Sequence, residues 1–275
     1  RRPDARIDWI GTALCTFGLG GAVFALIEQP NLGWGSPVIW ATFAAGILLF
    51  ALFLWRQRSA TAPMLPLDLF RIRNFWTGNI ATLFVYAALS LNGFVVTVYL
   101  QQEAGFSATL AGLASLPTTV MMVLLSASMG SLSDRFGPRI FMTVGPLVMA
   151  GGSLLLLTVT DPVNYWLQLL PGLILFGLGL AITVSPLTAA ILGAVDPARS
   201  GIASAVNNAI ARIAGLLIIA TLATIVAGSL DLDGFRRAAI VTAGLMVAGG
   251  IVSFLGIRNS DVAPVEKRAE PATGA

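Results

Sequence analysis

The chain has 275 residues, of which 56% are hydrophobic and 11% are charged, and its net charge is +3. A soluble domain carries about a quarter charged residues, so this chain has too few to cover its apolar surface in water. The sequence contains no His, which excludes histidine bases, Ser–His–Asp triads and His-ligated metals. Its one cysteine, Cys15, cannot form an intrachain disulfide and is expected to pack in the interior. No basic run alternates with aromatic residues, so no nucleic-acid partner is expected.

Eight apolar stretches are each long enough to cross a bilayer, which takes about 20 residues in a helix. The alternating strands of about ten residues that a transmembrane barrel needs are not evident in the sequence. Short connectors such as Asp161-Pro162 and Asp196-Pro197 consist of turn-forming residues. We therefore predict an all-α integral membrane protein with eight transmembrane helices. In chain order the predicted spans are 8–28, 36–55, 75–100, 108–130, 139–159, 163–187, 200–228 and 238–257.

When the eight predicted spans cross the membrane in turn, the positive charges fall almost entirely on one side of it. If residue 1 is cytoplasmic, then of the 16 basic residues only Arg236 and Arg237 lie in outside loops, while Arg212 lies within the seventh span. The positive-inside rule then places both termini in the cytoplasm. The basic residues of the predicted cytoplasmic segments are Arg1, Arg2, Arg6, Arg56, Arg58, Arg71, Arg73, Arg135, Arg139, Arg199, Arg258, Lys267 and Arg268.

The two ends and one long connector differ in composition from the spans. The chain begins at Arg1 without Met or a signal-peptide pattern, and we expect it to be the middle of a longer protein. Residues 56–74 mix apolar and basic side chains, and two interpretations stay open: a short amphipathic segment on the inner membrane surface, or a plain basic loop. Residues 258–275 are polar with Pro and Ala, which predicts a disordered tail.

A ten-residue motif lies between the fourth and fifth predicted spans. The segment Gly130-Ser131-Leu132-Ser133-Asp134-Arg135-Phe136-Gly137-Pro138-Arg139 fits G-x-L-x-D-R-x-G-x-R, and through it the chain resembles the major facilitator superfamily, whose signature loop has this pattern. Gly130 is expected to let neighbouring helices approach closely, and Gly137 to form a tight turn with Pro138. Asp134 is expected to pair with an arginine or a helix N-terminus. Arg135 and Arg139 are expected to anchor at the cytoplasmic headgroups.

Further segments resemble the fourteen-span branch of drug:proton antiporters in this superfamily. They are 6–11, 33–34, 66–70, 111–117 and 201–208 with Arg212 and Gly215. The resemblance covers residues 6–257 and implies two central linker spans followed by the six-helix carboxy-terminal bundle of the transporter. It divides the chain into a cytoplasmic stub with the linker spans (1–57), a cytoplasmic amphipathic loop (58–74), the bundle (75–257) and the disordered cytoplasmic tail (258–275).

The same resemblance implies a multi-pass secondary transporter of the bacterial plasma membrane, not an enzyme. It implies no cofactor, a small-molecule substrate, a lipid environment, and coupling to protons. Six amino-terminal spans, forming the bundle that completes the transporter, are expected to be missing from this chain. No acidic residue lies deep in a predicted span, so we expect the acid that proton coupling needs to lie in the missing half.

The seventh span carries a stripe of small and polar residues at steps of three and four: Gly201, Ser204, Asn208, Arg212 and Gly215. An arginine at membrane depth costs roughly 2.5–3.5 kcal/mol. We therefore expect Arg212 to face a wet cavity or a domain interface, with snorkelling to the inner surface as the alternative. For Asn208 and its neighbour Asn207, hydrogen bonding to a neighbouring helix is the alternative to a cavity role.

The third span offers three more polar candidates for the cavity, Asn79, Tyr86 and Asn92. Asn79 and Tyr86 lie seven residues apart and share one helix face. Hydrogen bonding between helices is at least as good an interpretation for each of them. In the sixth span, several glycines predict close packing, and Pro186 introduces a possible hinge.

These features favour one function and leave others open. A thin set of polar residues at membrane depth favours proton-coupled efflux of lipophilic drugs by alternating access. Export of a specific metabolite or sugar is the alternative within the same fold, and an inactive fragment or membrane scaffold is a third interpretation. An intramembrane enzyme is disfavoured, because the chain has no His and no acidic pair at membrane depth.

Overall fold

The computed structural model describes residues 8–59 and 65–259 as helices joined by short turns. Within these residues it contains eight helical segments that are long and apolar enough to cross a membrane, which confirms the predicted all-α architecture and its span number. The predicted stub before residue 8, the residues 60–64 of the predicted amphipathic loop, and the tail from residue 260 lie outside the described residues. The helices are α1 (Trp9–Leu32), α2 (Pro37–Ser59), α3 (Arg73–Gln102), α4 (Ala108–Ala114), α5 (Leu116–Phe136), α6 (Pro138–Leu155), α7 (Leu170–Gly193), α8 (Ser200–Ala220), α9 (Leu222–Ile225) and α10 (Leu232–Gly256).

Two spans differ from their predicted form. The fourth is built from α4 and α5, because Pro117 in the first turn of α5 lacks the N–H that would continue the hydrogen-bond ladder from α4. The seventh, predicted as 200–228, is too long: α8 ends at Ala220 and only the single turn α9 follows. Ala227 and Gly228 have φ angles of 55° and 90°, so the chain has left the helical conformation where the sequence is still apolar. Apolar composition therefore does not mark the end of this helix.

α1 and α2 form a helical hairpin, in which the beginning of α1 is joined to the end of α2. A Cβ on Gly18 would lie 2.7 Å from the backbone N of Phe50, so the two backbones are in close contact. The Asp8 carboxylate accepts a hydrogen bond from the Gly11 N–H at the start of α1, and another from the Arg56 guanidinium at 2.9 Å. Hydrogen bonding by Arg56 holds the pKa of Asp8 below its usual range. Asp8 thus joins the beginning of α1 to the end of α2.

The other six spans form a bundle held together by close backbone contacts. α3 packs against α10, α8 and α7, α6 packs against α7 and α10, and α5 packs against α7. Between α6 and α7, a Cβ on Gly152 would lie 2.6 Å from the N of Phe176, and a Cβ on Gly179 would lie 2.6 Å from the carbonyl oxygen of Gly145. The predicted packing role of the sixth-span glycines is therefore confirmed. α7 continues as an α-helix through Pro186.

The carboxyl end of α10 is capped by arginines from two other helices. Arg73 donates hydrogen bonds to the carbonyl oxygens of Gly256 at 2.8 Å and Leu255 at 2.7 Å, and Arg139 donates to that of Phe254 at 2.8 Å. The Arg139 guanidinium also lies 4.7 Å from the centroid of the Phe254 ring. The last carbonyls of a helix lack partners within the helix and carry partial negative charge, so these arginines stabilise its end. The Nε–H of Arg139 is bound to α10, and headgroup anchoring by this residue stays a prediction.

The described part of the long connector packs on the bundle. Leu67–Arg71 form a 3₁₀-helix, in which the Leu69 side chain is completely buried. Asp68 forms an ion pair with Arg199 at 2.7 Å, and this hydrogen bond holds the pKa of Asp68 below its usual range. An apolar residue that the amphipathic interpretation would place in lipid, Leu69, is thus covered by protein.

The two arginines that depart from the charge rule both cap the ends of earlier helices. Arg236 donates to the carbonyl oxygen of Val159 at 3.1 Å, and Arg237 donates to that of Val226 at 2.7 Å. Val159 follows the 3₁₀ turn Leu156–Thr158, and Val226 follows α9. Basic side chains near such carbonyls are favourable. Local hydrogen bonding therefore accounts for both positive charges at this end of the bundle.

Candidate functional site

A polar seam, formed by Asn79 and Thr82 of α3 and Asn207 of α8, joins these two helices. The Asn207 amide donates to the Asn79 Oδ1 at 3.3 Å and to the Thr82 Oγ1 at 2.7 Å. Asn79 and Thr82 are buried and donate in turn to carbonyl oxygens of their own helix, those of Phe75 and Gly78, each at 2.9 Å. Their hydrogen-bonding groups are therefore largely used within the protein. The alternative interpretation of Asn79, hydrogen bonding between helices, describes what the structure shows.

The neighbouring residues of α8 differ in what they contact. Asn208 is exposed, and its amide donates to the Ser204 carbonyl oxygen at 3.0 Å and to the Ser204 hydroxyl at 3.4 Å, both within α8. Asn207 rather than Asn208 therefore joins the two helices. For Asn207 the structure shows the predicted alternative, hydrogen bonding to a neighbouring helix, whereas Thr82 was not selected from the sequence. The available signal was the i, i+3 spacing of Asn79 and Thr82, which places two polar groups on one face of α3.

Tyr86 of α3 and Arg212 of α8 lie near enough to each other to interact electrostatically. Tyr86 is half-buried, and the Arg212 charge interacts electrostatically with its hydroxyl group. Arg212 is exposed and forms no ion pair with any residue that the structure describes. Its guanidinium is therefore available to a solute or to another part of the protein. This placement fits the predicted role of Arg212 in a cavity or at an interface.

Asn92 lies apart from the other candidates. It comes six residues after Tyr86, which puts it about 120° further around α3. Its side chain is 7% exposed, buried in the interior of the bundle. The structure thus brings together Asn79, Tyr86 and the polar residues of α8, and separates Asn92 from them.

Replacing Asn207 with alanine should weaken the contact between α3 and α8. The loss should be about 0.6–1.7 kcal/mol, the range of hydrogen bonds between membrane helices, because Asn79 and Thr82 lose their partner on α8. Asn208→Ala is the matched control, since its hydrogen bonds stay within α8. Titration of the detergent-solubilised protein with a denaturing detergent measures both variants. Equal losses of stability would contradict a special role for Asn207.

The signature loop has the geometry that its glycines predict. A Cβ on Gly130 would lie 2.5 Å from the Ser185 Oγ, so α5 and α7 approach closely at this point, as predicted. Gly137 has a φ angle of 85°, which glycine adopts readily, and it forms the predicted tight turn between α5 and α6. The Arg139 N–H donates to the Asn259 Oδ1 at 3.2 Å, which attaches the loop to the segment after α10.

Asp134 and Arg135 of the same loop are exposed. Neither forms an ion pair within the described ranges 8–59 and 65–259. Asp134 lines a cavity of about 170 Å³ with Asn74 and Ser133. The pairing expected for Asp134 is therefore not formed among these residues, and its carboxylate is free to meet a group from elsewhere.

Two helices of the bundle have faces that the described residues leave uncovered. In the spans of α5 and α8, only 11% of the residues are buried, compared with 44–50% in those of α3, α6, α7 and α10. Exposed apolar side chains on α5 include Val123 and Leu124. Arg212 and Asn208 lie on the exposed side of α8. The candidate site is thus the exposed face of α8 that carries Arg212 and Asn208, and α5 has a second uncovered face.

The amino-acid sequence matches the model of a known protein family. A sequence model described as the Major Facilitator Superfamily matches residues 3–219 and, in a second and overlapping match, residues 78–274. Each match covers more than half of the chain and includes the signature loop, α5, α7 and most of α8.

The chain is also similar to bacterial proteins named for drug resistance. It is 33% identical over 224 residues to a methylenomycin A resistance protein of Bacillus subtilis (strain 168), covering 81% of this chain and 48% of the relative. It is 33% identical over 234 residues to the multidrug resistance protein Stp of Mycobacterium tuberculosis, covering 82% and 42%. It is 27% identical over 220 residues to the lincomycin resistance protein LmrB of Listeria monocytogenes, covering 80% and 46%. The chain therefore spans about half the length of the curated relatives it matches.

Proposed function

Because the chain belongs to the major facilitator superfamily, we propose that it is the carboxy-terminal part of a secondary transporter that exports lipophilic drugs by alternating access. The observation that carries this proposal is the exposed face of α8, on which Arg212 lies at membrane depth without an ion pair to any described residue. The relatives' names, which refer to resistance to methylenomycin A, lincomycin or several drugs, support drugs as the substrate class.

The polar groups of the seam already form hydrogen bonds within the protein, which favours lipophilic substrates over sugars and similar metabolites. A sugar needs several free hydrogen-bonding groups in the cavity, because its hydroxyls lose water when it binds. Asn79, Thr82 and Asn207 are bonded to one another or to backbone carbonyls. The side chains that stay available near the seam are Tyr86 and Arg212, which suit a molecule with an aromatic ring.

The proposed partner of these exposed faces is an amino-terminal six-helix bundle. The bare faces of α5 and α8 and the length of the relatives, about twice that of this chain, support it. In this arrangement the α1–α2 hairpin is the linker between the two halves, and residues 75–257 are the carboxy-terminal bundle. We also propose that the signature-loop residues Asp134 and Arg135, which are exposed, meet the missing half when the cytoplasmic side closes.

We assign coupling to protons to the proposed amino-terminal six-helix bundle. Proton-coupled transport uses a carboxylate at membrane depth. In this chain Glu28 lies near the end of α1 and accepts a hydrogen bond from Asn31 at 3.2 Å, while Asp134 lies in the signature loop. Neither lies on the face of α8 where Arg212 is exposed.

Expression of the full-length protein in a bacterial host that lacks its major efflux pumps tests the proposed function. Cells should accumulate less of the uncharged lipophilic dye Nile red than cells with an empty vector, and a protonophore should abolish the difference. Export that persists with the protonophore would overturn proton coupling alone. Equal accumulation of dyes and drugs of several chemical classes in both strains would overturn the proposed drug export.

We propose a bacterial plasma-membrane location with the signature loop in the cytoplasm. In a Cys15→Ser background, a cysteine at Ser131 should react with an impermeant maleimide only after the cells are opened. A cysteine at Ser229 should react in intact cells, because it lies in an exposed turn at the opposite end of the bundle. Labelling of Ser131→Cys in intact cells would reverse the proposed orientation.

A further inference from the structure

A groove between α5 and α7 carries free hydroxyl groups, and neither the polar seam nor the signature loop includes it. This hydroxyl groove has a volume of about 440 Å³, within the range of small-molecule sites. Its lining combines three hydroxyl side chains with apolar ones and contains no charged residue. The residues that matter here are Met122, Ser126, Val184, Ser185, Thr188 and Leu192.

Two of these hydroxyls are not used inside the protein. Hydroxyls in membrane helices commonly donate to a carbonyl one turn earlier, as Thr188 does to Val184 at 3.0 Å and Thr183 does to Gly179 at 2.7 Å. Ser126 and Ser185 make no hydrogen bond with any other residue in the described ranges, although both are only partly exposed. In hydrocarbon, such groups need a partner. The groove therefore offers two donors in an otherwise apolar surface.

The position of the groove suits a molecule within the membrane. Ser126 lies four residues beyond the middle of the span Ala108–Phe136, about 6 Å along the helix. Met122 and Val184 pack against the same buried cluster as Tyr86, around Phe176. The groove thus adjoins the part of the core that also supports the proposed substrate face.

We propose that the hydroxyl groove binds an uncharged amphiphilic molecule, with an apolar ring against Met122 and Leu192 and a carbonyl or hydroxyl group bonded to Ser126 and Ser185. The proposal rests on the proposed drug export and deepens it, because it assigns neutral hydrogen-bonding substrates to this groove. Lipophilic cations without hydrogen-bonding groups find no complementary charge here and are excluded from it.

Protection of a single cysteine tests this binding directly. The full-length protein, with Cys15→Ser and any other cysteines replaced, receives Ala189→Cys, a groove position that leaves both serines in place, and is inserted into lipid nanodiscs. Chloramphenicol, which is uncharged and carries an amide and two hydroxyls, should slow maleimide labelling about fivefold at four times its dissociation constant. Tetraphenylphosphonium should not slow it. Adding Ser126→Ala should raise the chloramphenicol concentration for half protection about fivefold, through loss of one hydrogen bond.

A matched control separates binding in the groove from general effects. Ser128→Cys lies on the same helix, two residues from Ser126 and therefore about 200° around it, and should be labelled at the same rate with and without chloramphenicol. Protection at 189 but not at 128 supports the groove even if the protein exports nothing, a result that would overturn drug export alone. Labelling at 189 that chloramphenicol leaves unchanged overturns the groove, including the case in which acyl chains fill it. Equal protection by tetraphenylphosphonium overturns the proposed selectivity.

Discussion

Gly179→Val should lower the free energy of unfolding by about 3 kcal/mol, the upper part of the usual range for overpacked cores. A Cβ at this position would lie 2.6 Å from the Gly145 carbonyl oxygen and 2.6 Å from the Met149 backbone N. Both atoms belong to the α6 backbone, so no side-chain rotation relieves the contact and the two helices must separate. The melting temperature in mild detergent measures the effect.

Gly244→Val provides the matched control for this experiment. Gly244 also lies within a long spanning helix, α10, but a Cβ there would have no atom within 4 Å. Its stability should change by no more than about 0.5 kcal/mol, as for other exposed substitutions. If the two valine variants melted together, the close approach of α6 and α7 would be wrong, and the stability of the bundle would have to come from other contacts.

The sequence predicts the spans well because lipid imposes one strong condition on them. A spanning helix must carry about 20 apolar residues and satisfy its own backbone hydrogen bonds. All eight predicted segments form helices that meet this condition. The ends are harder to predict, because turns such as Ala227-Gly228 consist of apolar residues. The partners of Arg236 and Arg237, the carbonyl groups at Val159 and Val226, are distant in sequence and follow only from the fold.

The candidate site shows a similar division. Glycine patterns predict close packing, because a missing Cβ has few other uses in a membrane helix, and Gly130 and Gly137 behave as expected. Polar residues are ambiguous in sequence, because an asparagine can serve a cavity or a neighbouring helix equally well. Asn79 proves to be bonded to Asn207, and Asn92 is buried away from the other candidates. Only the rotation of each helix decides between these roles.

Arg212→Ala in the full-length protein should reduce the proposed drug export about tenfold, a loss of about 1.4 kcal/mol in transition-state stabilisation. The guanidinium is exposed on α8 beside Tyr86 and forms no ion pair with the residues that the structure describes. An arginine at this depth costs roughly 2.5–3.5 kcal/mol to insert, so its removal should not impair insertion. Dye efflux is measured together with the amount of protein in the membrane.

Two further variants separate the ways in which Arg212 can act. Arg212→Lys keeps the charge but loses the planar, multidentate donor group, so recovery of export would show that charge alone is needed. Tyr86→Phe removes the hydroxyl that the Arg212 charge affects, and if the two residues act together, the double variant should lose less than the two single losses added. Export that is unchanged in Arg212→Ala would instead make Arg212 a membrane anchor. The exposed face of α8 would then lose its proposed part in transport, and α5 with α7 would remain to be tested for substrate contact.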